Sequence, residues 1–400
     1  MKYISSLDGL RGAAALLVVL FHYFPRTSAG PFGVLASFGW MGVDIFFVLS
    51  GFLITSILYE QRGAEHYFRN FYMRRLLRLS PLYYALFAVV LLLTPWLHIH
   101  WRPLQWAIFF YGANIVLPLD DSLAQIGPFQ VYHLWSLAIE EQFYLIWPWI
   151  LGSRLSKESL KKICVVGIVA ALLLRLVMLH AHVYTLWIYQ SLPSRMDALL
   201  MGALLALIPR PSLRTAKMAG FAGLLVFGAT VAAGHSAFFQ SRPIQGLGYS
   251  ALGVLAASIL TMNLYPATIA SRIFSWKILR FYGRYSYGLY LWHYFFLQQY
   301  GALKLWVSHR VGSPRLADAI SFLLMFLGST LIAVASYWWI EQPFLRLKHR
   351  FASPGTVPAL SGDGQEFRGG EALEPKLQTA PGLDGVEHNL VIDGVLGGPA

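Results

Sequence analysis

Long apolar runs separated by short polar connectors recur along this 400-residue chain from residue 8 to about residue 340. Most runs are about 17 to 25 residues long, the length that an α-helix needs to cross the hydrocarbon core of a bilayer. The pattern predicts an all-α, polytopic membrane protein with about ten transmembrane helices. The predicted spans are residues 8–24, 37–59, 79–97, 132–151, 163–182, 186–208, 218–234, 245–264, 281–300 and 316–340.

Composition agrees with this architecture and narrows the classes of partner. Hydrophobic residues make up 56% of the chain and charged residues 12%, a balance more apolar than that of soluble domains. The net charge of +12 comes from basic residues in the connectors, as expected of cytoplasmic loops rather than of a nucleic-acid surface. The single cysteine, Cys164, excludes an intramolecular disulfide framework and a multi-cysteine metal site. The first run lacks a cleavage site, so we expect it to remain as a transmembrane helix.

Basic residues cluster in alternate connectors, which predicts that these connectors and both termini are cytoplasmic. The stretch of residues 104–119 is apolar but would reverse this pattern if it spanned, so we expect it to be re-entrant or interfacial. Residues 62–81 interleave arginines with aromatic side chains and predict an amphipathic helix on the inner membrane surface. We predict one transmembrane domain over residues 1–350 and a disordered cytoplasmic tail over residues 351–400, which are rich in Gly, Pro, Ser and acidic residues.

The first apolar run contains an arginine and a histidine at its two ends. An ionisable side chain near the bilayer centre costs about 2.5 to 3.5 kcal/mol, so each should line a cavity or find a partner. Arg11 and His22 are eleven residues apart, which on a helix is within about 20° of three turns and a rise of about 16 Å. Both side chains are therefore expected to point into one groove, which an extended ligand could fill. The alternative is that Arg11 snorkels to the inner interface while His22 caps an outer loop.

The fourth predicted span begins with a polar face. His133, Ser136 and Glu140 are spaced i, i+3 and i+7 and therefore share one side of a helix. Glu140 and Glu141 cannot both face lipid, and Glu140 is the one expected to face a cavity. Hydrogen bonding between helices is the alternative role for this face. We take His133 and Ser136 as candidate substrate-binding residues.

Further ionisable and polar residues lie inside other predicted spans. Asp44 requires a cation from another helix. Arg195 and Asp197 are two residues apart and cannot face each other on one helix, so each requires a separate partner. Tyr287 and His293 lie in a polar stretch of the ninth span. Taken singly, each of these five residues is explained as a core residue whose polar atoms have partners within the protein. Taken together, they are candidates for binding a substrate.

Seven motifs in order carry a resemblance to a known family. The chain is similar over residues 4–346 to the bacterial acyltransferase 3 family of integral membrane acyltransferases. The resemblance implies transfer of an acyl group, often acetyl, from cytoplasmic acyl-CoA to a hydroxyl of a carbohydrate, lipid-linked or other acceptor, in the cytoplasmic (inner) membrane of a bacterium. The motifs are "LDGLRGAAALLVVLFHYF", "GVDIFFVLSGFLI", "RRLLRLSPLYY", "HLWSLAIEEQFYLIWP", "RMDALLMG", "YSYGLYLWH" and "IEQPF".

The resemblance implies roles for several residues. Arg11 and His22 correspond to the functional pair of the family, with Arg11 guiding the donor arm and His22 acting as general base on the acceptor hydroxyl. Glu140 is expected to orient His22 or to contact the acceptor. We expect no metal, and direct transfer rather than an acyl-histidine intermediate. Some members carry a hydrolase-like domain after the spans; with only the tail here, we expect no second transfer step by such a domain. The residues expected to hold the phosphates of acyl-CoA are Arg74, Arg75 and Arg78.

Two other classes of protein remain open. A proton-coupled transporter of sugars or small molecules would also keep ionisable residues inside its helices, and a scaffold of a polysaccharide assembly complex would need no catalytic residue. Other enzyme classes are disfavoured, because the sequence lacks HExxH, a Walker-type glycine loop and GxSxG. The acceptor is also open, and lipopolysaccharide, exopolysaccharide, peptidoglycan, a glycolipid or a small metabolite would all provide a hydroxyl.

Overall fold

The computed structural model describes residues 3–24 and 31–351, so the predicted tail lies almost entirely outside the described residues. The described part is built almost wholly from helices, with one short antiparallel hairpin of β1 (Gln125–Ile126) and β2 (Phe129–Gln130). The α-helices are α1 (Ser5–Tyr23), α2 (Pro31–Ser37), α3 (Gly42–Glu60), α4 (Tyr67–Leu97), α5 (Gln105–Phe109), α6 (Ala113–Val116), α7 (Leu134–Gly152), α8 (Lys157–His180), α9 (Thr185–Gln190), α10 (Leu192–Leu207), α11 (Leu213–Gly234), α12 (Tyr249–Asn263), α13 (Ile269–Phe274), α14 (Lys277–Arg284), α15 (Ser286–Phe295), α16 (Leu297–Val311), α17 (Pro314–Ser336) and α18 (Gln342–Arg346).

Shorter helical segments extend some of these elements. A 3₁₀ turn, Gly39–Met41, precedes α3, and another, Asp121–Ala124, precedes β1. Two π-helical segments, Ile244–Gly248 and Tyr337–Glu341, lie before α12 and after α17. A final 3₁₀ segment covers Leu347–Phe351.

Seven helical segments in the described residues are long and apolar enough to cross a membrane, which makes this a multi-pass membrane protein. The count of ten spans and the cytoplasmic location of both termini stay predictions. Three predicted spans are not among the seven. Residues 186–208 divide into α9 and α10 at the extended Ser191, and residues 281–300 divide at Tyr285 and Phe296. The third, α7, contains Glu140 and Glu141 in its middle.

Helix α4 differs from the prediction of a separate surface helix over residues 62–81. It runs for 31 residues without interruption from Tyr67 through the third predicted span, although Pro81 lies inside it. At 1.5 Å per residue this helix is about 46 Å long, more than the ~30 Å of the hydrocarbon core. No glycine or polar turn separates the two halves, so one helix carries both the arginines and the apolar run.

The stretch of residues 104–119 does not form a spanning helix. It contains only α5 and α6, which are five and four residues long. The loop that follows is held to it by an ion pair of 2.5 Å between Arg102 and Asp120. Hydrogen bonds from Ser122 and then Arg102 lower the pKa of Asp120. The stretch therefore contains no continuous helix of spanning length, and its re-entrant or interfacial position stays a prediction.

Close backbone contacts fix α1 against α14. A Cβ atom added at Gly12 would lie 2.0 Å from the carbonyl oxygen of Leu279, and one added at Gly283 would lie 1.9 Å from that of Asp8. Only glycine permits so close an approach at these two positions. The crossing sets the position of α1, the helix with the arginine and histidine pair.

Helices α3 and α10 make a second close crossing of the same kind. A Cβ atom at Gly51 would lie 1.8 Å from the carbonyl oxygen of Leu199, and one at Gly202 would lie 2.0 Å from that of Val48. Gly51 therefore serves close helix packing.

Candidate active site

Helix α1 presents Arg11 and His22 to the polar face of α7. Both side chains are half-buried. Arg11 interacts electrostatically with Glu140, in the middle of α7, and His22 interacts with His133, the residue that precedes it. The two helices therefore run in opposite directions here, with the arginine and glutamate at one level and two histidines at the other.

His22 is held by its own helix and by a second histidine. Its Nδ1 lies 2.8 Å from the carbonyl oxygen of Val18 and 3.2 Å from Nε2 of His293. Nδ1 of His293 lies 3.0 Å from the carbonyl oxygen of Leu289. A carbonyl oxygen only accepts, so the partners assign the proton of each ring to Nδ1. His22 Nδ1–H then donates to Val18 and His293, and its Nε2 carries a lone pair.

His133 completes a group of three histidines. Its ring centroid lies 5.7 Å from that of His293 and 5.0 Å from that of Tyr294, which in turn lies edge-on to His22 at 4.6 Å. The three histidines lie on α1, just before α7 and on α15. Nothing in the sequence pattern identified Tyr294 as a neighbour of His22. No group of three or more His, Cys, Asp or Glu side chains in residues 3–24 and 31–351 is arranged to hold a metal ion.

Ser136 and Tyr290 hold the start of α7 in place. Their hydroxyl oxygens are 2.5 Å apart and each lies 3.2 Å from the carbonyl oxygen of His133, so one hydroxyl donates to the other and the second donates to the carbonyl. Ser136 was expected to bind substrate; in the structure its hydrogen bonds fix the backbone beside the histidines. Tyr287, another candidate, donates to the carbonyl oxygen of Leu79 at 2.6 Å and so ties α15 to α4.

Glu140 belongs to a separate polar group nearer Arg11. The hydroxyl oxygen of Tyr144 lies 2.8 Å from Oε2 of Glu140 and 2.8 Å from Oγ of Ser50. The guanidinium of Arg75 lies over the Tyr144 ring at 4.9 Å. Glu140 therefore links α7 to α3 and to the arginines of α4, and the orientation of His22 that was expected of it comes from Val18 and His293.

Five cations gather around this second group. Lys348, which the sequence analysis did not single out, interacts electrostatically with Arg11 and with the three arginines of α4. The carboxylates that interact with these cations are Asp8, Glu140, Glu141 and Glu341. No ion pair within 4.0 Å joins a carboxylate to any of the five cations in the described part of the chain. The five cations outnumber these four carboxylates, so the cluster carries a small excess of positive charge. Its cations are Arg11, Arg74, Arg75, Arg78 and Lys348.

The other predicted ionisable candidates form two buried ion pairs. Asp44 on α3 pairs with Arg195 on α10 at 2.6 Å, and Asp197 pairs with Arg175 on α8 at 2.8 Å. The guanidinium of Arg195 also lies 3.9 Å from the centroid of the Tyr249 ring. The prediction that Asp44, Arg195 and Asp197 need partners on other helices is confirmed. Their pairing joins α3, α8, α10 and α12, and a role in substrate binding stays a prediction.

Comparison with known proteins places the chain in a family of acyltransferases. Residues 4–338 match the acyltransferase domain family. The chain is 32% identical over 320 residues to the peptidoglycan O-acetyltransferase OatA of Listeria monocytogenes, covering 73% of this chain and 49% of that protein. It is 30% identical over 376 residues to the O-acetyltransferase OatA of Staphylococcus aureus, covering 86% of this chain and 57% of that protein.

A third relative has a similar extent of match. The putative peptidoglycan O-acetyltransferase YrhL of Bacillus subtilis is 30% identical over 369 residues, covering 86% of this chain and 55% of that protein. The chain thus spans about half the length of these relatives, and no solved structure matches it. The match across nearly the whole of the membrane domain shows that the chain belongs to the acyltransferase 3 family.

Proposed function

We propose that this protein is a membrane O-acetyltransferase that moves an acetyl group from acetyl-CoA, on the cytoplasmic side, to a hydroxyl of a peptidoglycan-type carbohydrate. The names of its relatives support the acetyl group and the carbohydrate. The observation that carries the chemistry is the orientation of His22. Its Nδ1–H donates to Val18 and His293, so Nε2 is the nitrogen with the lone pair that a general base requires.

The donor is inferred from the cluster of cations. Coenzyme A carries phosphate groups on a nucleotide head and a long flexible arm that ends in the thioester. Arginine guanidinium groups bind phosphate with charge-assisted hydrogen bonds, so Arg74, Arg75 and Arg78 are suited to the head. Arg11 lies in the same cluster, about 16 Å along α1 from His22, and would receive the start of the arm. The thioester would then arrive beside His22.

The proposed reaction is a direct transfer. The oxygen of the acceptor hydroxyl attacks the carbonyl carbon of the thioester while Nε2 of His22 takes the hydroxyl proton. The carbon–sulfur bond then breaks, and the sulfur leaves as a thiolate that recovers the proton from His22. The products are an acetyl ester and coenzyme A thiol. Positioned proton transfer of this kind supplies about 10² to 10⁴ in rate.

The second histidine has a positioning role in this scheme. When His22 takes a proton it becomes a cation, and its Nδ1–H continues to donate to the lone pair of His293 Nε2. His293 keeps its own proton on Nδ1, bonded to Leu289, so it remains an acceptor throughout. The pair therefore keeps Nε2 of His22 as the nitrogen that faces the reaction.

The test is an acetyl-transfer assay with purified full-length protein. Acetyl-CoA labelled in the acetyl group is incubated with peptidoglycan fragments, with lipopolysaccharide or with exopolysaccharide, and ester-linked label is counted. We expect label in peptidoglycan fragments with stoichiometric release of coenzyme A. Label in another envelope polymer alone would show that this polymer, and not peptidoglycan, is the acceptor. Transport of sugar across the membrane of proteoliposomes without consumption of acetyl-CoA would show that the protein is a transporter and not an acetyltransferase.

A further inference from the structure

The ring of His133 is buried and makes no hydrogen bond to any described residue. The residue is 3% exposed, and within residues 3–24 and 31–351 neither Nδ1 nor Nε2 has a hydrogen-bond partner. The backbone carbonyl of Leu291 is near enough to act on the ring electrostatically, but it does not meet hydrogen-bond geometry. Leaving a buried donor or acceptor unpaired costs about 1 to 3 kcal/mol. A phenylalanine would fill the same space without that cost, so packing does not explain an imidazole here.

The surroundings of His133 are those of the candidate active site. Its ring contacts Tyr290, His293 and Tyr294, with centroids 5.4, 5.7 and 5.0 Å away. Tyr294 is half-buried and also contacts the ring of His22. A group bonded to His133 would therefore lie in the same part of the site as the ring of His22.

The chemistry of the ring selects the class of ligand. A neutral imidazole offers one donor and one acceptor, which matches a hydroxyl group. Among the described residues, the rings that contact His133 are those of tyrosines and a histidine, whereas the cluster of five cations lies around Arg11. Half-buried tyrosines beside the ring, Tyr132 and Tyr294, offer amphipathic faces that suit the apolar side of a sugar.

We infer that His133 binds the carbohydrate acceptor, by hydrogen bonds from its two ring nitrogens to hydroxyl groups of the sugar. This inference rests on the proposed function and assigns the binding site of the acceptor. Ser136 and Tyr290 serve it indirectly, because their hydrogen bonds, to each other and to the carbonyl of His133, fix the backbone that carries the ring.

The first test measures binding without chemistry. The probe is a soluble tetrasaccharide of alternating N-acetylglucosamine and N-acetylmuramic acid, detected by saturation-transfer NMR with the purified full chain in detergent. We expect the wild-type protein to bind it and His133→Phe to bind at least about tenfold more weakly, since two hydrogen bonds are lost. His133→Gln, which keeps a donor and an acceptor, should fall between them. Equal binding by wild type and His133→Phe, or no binding by wild type, would overturn the inference.

The second test separates the acceptor from the donor and from folding. In the transfer assay His133→Gln should raise KM for the tetrasaccharide and leave KM for acetyl-CoA unchanged. The matched control is Asn263→Ala at the end of α12, which also removes a buried polar side chain, an amide whose oxygen has no partner among the described residues. It should change neither KM for the tetrasaccharide nor KM for acetyl-CoA. A rise in KM for acetyl-CoA alone would contradict the inference. If the wild type binds tetrasaccharide but transfers no acetyl group to it, the proposed function fails while the inference stands.

Discussion

His22 and His293 lie on different helices, 271 residues apart in the sequence, with Nδ1 of the first 3.2 Å from Nε2 of the second. Because Nδ1–H of His293 donates to the carbonyl oxygen of Leu289, Nε2 of His293 can only accept a hydrogen bond. His22 is therefore the donor in the bond between the two rings. The buried ring of His293 therefore fixes which nitrogen of His22 carries the proton and which carries the lone pair.

This relationship predicts different effects for two substitutions of His293. His293→Leu should lower kcat by about 10- to 100-fold with little change in KM for acetyl-CoA, because His22 loses a hydrogen bond of about 1.5 to 3 kcal/mol in its charged form. His293→Gln should recover part of kcat, since the amide oxygen can accept from Nδ1 of His22. Equal loss in both variants would point to a packing role alone.

The cation cluster predicts a selective effect on the donor. Arg75→Ala should raise KM for acetyl-CoA by about 10-fold or more and leave KM for the acceptor unchanged, since a charge-assisted hydrogen bond to phosphate contributes about 1.5 to 3 kcal/mol. Arg69→Ala is the matched control, because Arg69 is an exposed arginine on the same helix. A rise in KM for the acceptor, or the same rise in the control, would contradict the assignment of this cluster to the donor.

The buried ion pairs predict that removing one partner destabilises the protein more than removing both. Asp197→Leu should lower the free energy of unfolding by about 3 to 5 kcal/mol, because Arg175 is left buried without its carboxylate. The double variant Arg175→Met, Asp197→Leu should be less destabilised than this single variant. Thermal unfolding in detergent measures both. A double variant that is as unstable as the sum of the two singles would show that the pair is not coupled.

The crossing of α3 and α10 predicts a steric effect at one glycine. Gly51→Ala should destabilise the protein by about 1 to 3 kcal/mol, because the added methyl group would meet the backbone of Leu199. Gly228→Ala on α11 is the control, since nothing lies within 4 Å of a Cβ atom there, and it should be neutral or slightly stabilising. Equal unfolding temperatures for the two variants would contradict the close crossing.

The sequence predicted the elements of this protein better than their boundaries. Apolar length identified the helical membrane domain, and the eleven-residue spacing predicted that Arg11 and His22 share one face of α1, from which they interact with Glu140 and His133. Hydropathy could not show that α4 is one helix, because Pro81 resembles a boundary in the sequence and is tolerated inside the helix. It also could not show the breaks at Ser191 and Phe296, where the chain leaves the helix within apolar segments.

Partners between distant helices were the part that the sequence could not supply. It showed that Asp44 and Asp197 needed cations, but the choice of Arg195 and Arg175 depends on the packing of α3, α8 and α10. In the same way, helical periodicity grouped Glu140 with His133 along α7, but it could not show that His22 of α1 lies against His293 of α15. Contacts within one helix follow from spacing, and contacts between helices require the fold.

The most direct measurement is the rate of acetyl transfer from labelled acetyl-CoA to peptidoglycan fragments by wild type, His22→Ala and His180→Ala, at equal amounts of folded protein. His180 is an exposed histidine at the end of α8 and serves as the control. We expect His22→Ala to be slower than wild type by about 10² to 10⁴ at saturating acetyl-CoA, with the control unchanged. Transfer by His22→Ala at the wild-type rate would contradict the role of this histidine as the base.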